Sequence, residues 1–90
     1  MSDREQQDIN RAQQAKLLKE NAFFNEMMIT LKAGYVEKLT KIKKGRGYEE
    51  DLKQVHDGLR NLGAIEGFMA KCINDGKIAV DKRSKRELGQ

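Results

Sequence analysis

Proline is absent from this 90-residue chain, and cysteine and histidine occur once each. Without proline, nothing of that kind interrupts a long helix. The single thiol, Cys72, excludes an internal disulfide and suits a reducing compartment. It lies beside an apolar stripe and reads as a small buried hydrophobe. The single imidazole, His56, has no cysteine or second histidine at zinc-ligand spacing. Asp57 beside it points in a different helical direction, which undercuts a catalytic pairing. Ser84 has no local base. No acid, base and nucleophile set converges, so the chain reads as non-enzymatic, with no cofactor and no metal. Nor does any apolar run approach the roughly 20 residues that span a bilayer. Residues 1–10 are polar and lack the apolar region of a secretory signal. The expected setting is the cytoplasm, without membrane contact.

What the chain has is two amphipathic segments on either side of a basic turn, Lys43-Lys44-Gly45-Arg46-Gly47. The first carries Phe24, Met28, Leu31, Tyr35, Leu39 and Ile42. The second carries Leu52, Val55, Leu59, Leu62, Met69 and Ile73, with Glu66 interrupting. Steps of three and four place each set on one helical face. A glycine-bearing turn between two such segments predicts an antiparallel helical hairpin. Charged residues at 36% and apolar ones at 38% fit a folded helical surface protein better than a disordered chain.

An additional N-terminal helix is expected over 3–20, opened by a Ser2/Glu5 capping box. Its apolar face is thin, so it needs a partner. Asn21 suits a cap and a break, with further helices over 22–43 and 48–75; a single helix over 3–43 is the alternative. Asp75-Gly76 predicts the end of the last helix, glycine taking the left-handed position. The expected organisation is thus an all-α helical domain over 1–76 followed by a basic C-terminal arm over 77–90. Gly34, Gly58, Gly63 and Gly67 each weaken a helix by about 1 kcal/mol relative to alanine. For the last three, the offsetting gain is close approach of another helix, or else a functional kink or a ligand near the backbone. Glu66 is expected at the rim of the seam, or paired across an interface with a lysine or arginine.

A two-helix seam leaves much apolar surface wet, and a chain this small is marginal by itself. Phe23 and Met27 widen the first stripe, and Ile65, Phe68 and Cys72 widen the second. Assembly into a homo-oligomer follows as the expectation, with Phe23, Phe24, Met27, Met28, Leu31, Tyr35, Leu59, Leu62, Ile65, Phe68 and Met69 as candidate interface residues.

Charge suggests a second kind of site. The net charge is only +4, but it is unevenly spread. Lys41, Lys43, Lys44 and Arg46 at the turn, and Lys82, Arg83, Lys85 and Arg86 in the arm, are candidate phosphate contacts for DNA or RNA, with Tyr48 available to stack on a base. The turn lacks Walker spacing and a preceding strand, so nucleotide hydrolysis is not indicated. Lysines at a helix C-terminus also offset its dipole, which explains the turn without a ligand.

The stretch Arg11-Ala12-Gln13-Gln14-Ala15-Lys16-Leu17-Leu18, then Asn21, Phe24-Asn25-Glu26, Leu31 and Tyr35, with Ile73-Asn74-Asp75-Gly76-Lys77 later, resembles small uncharacterised helical proteins of tailed bacteriophages. Such proteins often accompany head and packaging genes. The resemblance implies a setting in virion assembly or DNA packaging, in the host cytoplasm or on the virion, and carries over no site residues. Partners in that setting are a phage structural protein or a host protein. Three functions remain in view: a self-associating assembly protein, a nucleic-acid-binding module, and a small inhibitor of a host defence protein.

Overall fold

The computed structural model describes residues 3–89, so Ser2 of the proposed capping box lies outside the described residues. Among them the chain is all-α: helices α1 (Asp3–Glu20), α2 (Ala22–Lys41) and α3 (Tyr48–Glu87), with no strand. Asn21 separates α1 from α2, its N–H donating to the Leu18 carbonyl at 3.1 Å. The continuous 3–43 helix is therefore not formed.

The turn after α2 depends on two glycines in left-handed conformations, Gly45 (φ 145) and Gly47 (φ 83). The Gly47 carbonyl accepts the Asp51 N–H at 3.0 Å and so opens α3. Glu49, Glu50 and Asp51 occupy the first turn of α3, where the helix dipole favours negative charge.

α3 corrects the expected boundary. It does not end at Asp75-Gly76 but continues to Glu87, so most of the expected basic arm is helix. Gly76 is not among the glycines with positive φ. The terminating glycine is Gly89 (φ 80), whose N–H donates to the Arg86 carbonyl at 3.0 Å. The glycine-stop rule holds for the chain but falls one glycine later.

Two compact units result, one of Ala22–Glu66 and one of α1 with α3 from Gly67 onward. α3 contributes to both. Its covered residues are Val55, Gly58, Leu62, Met69, Cys72, Gly76 and Ala79, with Arg83 half-buried. These alternate in steps of three and four, a seven-residue repeat, with half-exposed Ile65 filling the vacant step. Val55, Leu62 and Met69 belong to the expected stripe. The positions between them do not: the covered ones are Gly58 and Cys72, not Leu59 and Ile73.

The reason is close approach. In the Ala22–Glu66 unit, the Tyr35 ring occupies the space a Cβ on Gly58 would need. In the other unit, a Cβ on Gly76 would overlap the Ala12 side chain and lie 3.2 Å from the Asp8 carbonyl oxygen. Ala12 and Ala15 are the buried residues of α1, so that seam is built from small residues on both helices. Gly34, Gly63 and Gly67 meet open space instead, and Gly58 is covered by the Tyr35 ring; the close contact with another helix's backbone falls at Gly76.

Gly76→Ala is expected to lower the thermal midpoint. Overpacking costs about 1–3 kcal/mol and outweighs the helix-propensity gain of about 1 kcal/mol, because Ala12 cannot swing aside as the Tyr35 ring can. Gly63→Ala, placed in open space, is expected to raise the midpoint by several degrees. Thermal melts at equal protein concentration check both signs.

Candidate interaction surface

α2 is apolar on more than one face. Buried Met28, with Lys32 and Tyr35 at the following turns, marks the face toward α3. Tyr35 lies against Gly58, and the Lys32 Nζ sits 2.8 Å from the Glu66 carboxylate. Both members of that pair are about half exposed, so it is a rim contact worth at most about 1 kcal/mol. Glu66 thus stands at the rim and pairs there with a lysine.

Residues adjacent to Met28 turn away from it by roughly 100° in either direction. On one side Phe23, Met27 and Leu31 follow each other at four-residue steps, with Phe23 75% exposed. On the other side are Ile29 (68% exposed), Ala33 and Val36 (51% exposed). A helix apolar around most of its circumference ordinarily sits inside a larger core; here two flanks face solvent.

The candidate interface residues therefore divide. Phe23, Met27, Leu31, Ile65 and Phe68 are accessible. Met28, Leu62 and Met69 are buried within the chain, and Phe24, Tyr35 and Leu59 are half-buried; the buried three serve the fold. Ile29 and Val36 were not among the candidates. Their signal was present as the Ile29-Ala33-Val36-Thr40 spacing, but it lies off the stripe that includes Met28 and Tyr35.

The basic candidates fall into two groups. At the turn, Lys41 pairs with Glu37 at 2.8 Å, and Lys38 lies 5.7 Å from the Tyr35 ring centre. Lys43, Lys44 and Arg46 are exposed. A shallow depression there is lined by Lys44, Gly45, Gly47, Tyr48, Glu49 and Glu50, which sets carboxylates beside the cation. Tyr48 is half-buried rather than free on the surface.

In the other unit, Arg86 pairs with Glu5, and the Arg83 guanidinium donates to the Gln6 side-chain oxygen at 3.1 Å. Lys82 and Lys85 are exposed. Two of the four arm cations thus hold α1 against the end of α3. The contacts fall in reverse order along the two helices, Glu5 with Arg86 and Asp8 and Ala12 at Gly76, so the helices run antiparallel.

Among the described residues, no group of three or more histidine, cysteine or acidic side chains is placed to hold a metal ion, and no helix is long and apolar enough to cross a membrane. His56 and Ser84 are exposed on α3. Cys72 is a buried free thiol. No family model, curated protein or solved structure matches this chain.

The Arg86 hydrogen bond is the main cause holding the Glu5 carboxyl below its ordinary pKa, with the nearby charges of Arg86, Arg83 and Lys82 adding to it and partial burial opposing it. A carboxylate with a lowered folded-state pKa stabilises the fold above the ordinary glutamate range, and that contribution is lost as pH falls through the lowered value. Wild type is therefore expected to melt above Glu5→Gln at neutral pH. The gap should narrow as pH falls below the ordinary glutamate pKa of about 4.3 and close below the lowered folded-state value. Paired melts across that range check the sign.

Proposed function

We propose that this chain is a non-enzymatic interaction protein that self-associates through the outer surface of α2, with the α2–turn–α3 segment acting as an antiparallel helical hairpin. The observation that carries this is the pair of exposed apolar flanks on α2, led by Phe23 and Ile29. Water excluded from such surface contributes about 25 cal/mol per Å², so leaving both flanks solvated is unfavourable whenever another copy is at hand.

The resemblance to phage proteins supplies the setting, virion assembly or DNA packaging in the host cytoplasm.

Light scattering coupled to size exclusion at micromolar concentration is expected to give a multiple of the monomer mass. A 10.3 kDa monomer would remove self-association. Phe23→Ala is expected to weaken assembly by about 30-fold, the scale of losing a central aromatic anchor. For the setting, deletion of the gene from a phage that carries it should reduce the ratio of full to empty heads in electron micrographs. An unchanged ratio would remove that role and leave self-association standing.

A further inference from the structure

The two units are held together by different material. Residues Ala22–Glu66 bury Met28, Val55 and Leu62 and half-bury Tyr35 and Leu59. In the other unit α1 buries only Ala12 and Ala15, and its two leucines, Leu17 and Leu18, are exposed. Dispersion and water exclusion both grow with the side-chain surface covered, so α1 gains little from docking. Its charged contact adds little more. The Arg86 partner of Glu5 is about half exposed, and water competes for such a pair.

One group favours release outright. Among the described residues, the Arg83 Nε is shut away from water with no hydrogen-bond partner, although the same guanidinium donates through Nη2 to Gln6. A buried donor left unpaired loses its hydration without replacement, and separating α1 from α3 returns it to water.

We infer that α1 is a releasable strap, which undocks from α3 while the Ala22–Glu66 unit stays folded. Undocking bares the face that carries Cys72, Gly76 and Ala79, and it frees Arg83 and Arg86 from Gln6 and Glu5 in one event. Local openings of this kind arise where few apolar contacts hold an element. Cys72 reports the opening: it is 7% exposed when α1 is docked, and Asp8 and Arg11 of α1 border the small cavity beside it. The inference does not depend on self-association.

Reaction of Cys72 with a chromogenic disulfide reagent, followed across urea concentrations below the unfolding transition, tests it. At reagent levels where reclosing outpaces labelling, the urea slope of the rate measures the surface exposed in the opening. That slope is expected to be less than half the slope of equilibrium unfolding. In hydrogen exchange read by mass spectrometry, α1 peptides should exchange through the same shallow opening and Ala22–Glu66 peptides through the steep one. Ala12→Gln crowds the contact at Gly76 with a good helix former, so it is expected to speed labelling about 10-fold or more and leave Ala22–Glu66 exchange unchanged. A thiol rate with the full unfolding slope would overturn the strap, whether or not that variant folds. So would a shallow thiol slope with α1 amides as protected as those of Ala22–Glu66, which would confine the opening to the surroundings of Cys72. Ala22–Glu66 exchange that rises in step with labelling in Ala12→Gln would overturn it as well.

Discussion

Close approach along one face of α3 is the constraint on which the rest depends. That face alternates Val55, Leu62 and Met69 with Gly58, Cys72 and Ala79, and it places Gly76 against Ala12. Small residues let backbones come near enough for many weak dispersion contacts, each worth only about 0.1–0.2 kcal/mol. No side chain in the described chain is fully enclosed, and the covered residues range in size from Gly58 and Gly76 to Leu62, Met28 and Met69. α1 buries only two alanines, and its attachment is completed by the Glu5 and Gln6 contacts to the far end of α3.

A seam of this kind separates folding from exposed apolar content. In a chain with a bulky core, Phe23, Ile29, Val36 and Phe68 would be drawn inward. Here Met28, Leu62 and Met69 share the covered positions with smaller residues, and those four side chains stay outside. The charged groups follow the same logic: Arg83 and Arg86 finish the α1 seam where its apolar material runs out, which engages cations that a composition-based view assigns to nucleic acid.

Much of the fold was legible from residue spacing. The three helices, the break at Asn21 and the glycine turn all follow from periodicity and local backbone chemistry. Two things were not. The first is the fate of Gly76: glycine after aspartate has the pattern of a helix stop, and only the presence of Ala12 opposite shows that the missing side chain makes room for a neighbour. The second is the register of the α3 seam. Hydrophobic periodicity weights large residues, so it selects Leu59 and Ile73 and passes over Gly58 and Cys72 one position earlier. The candidate surface was legible on one flank, through Phe23 and Met27. Its other flank was overlooked because Ile29 and Val36 sit apart from the strongest stripe.

The small-residue contact between Ala12 and Gly76 also limits how this sequence can drift. At a seam with no spare volume, a larger residue in place of Ala12 has no compensating change available at Gly76, since glycine is already the minimum, and a larger one in place of Gly76 could be matched only by Ala12→Gly. Those positions are therefore held to small residues, whereas the bulky residues on the outside of α2 meet no such limit within the chain. Substitution patterns among descendants of this chain should then be inverted relative to an ordinary globular core: the smallest seam residues held fixed, and the large exposed apolar ones free to change.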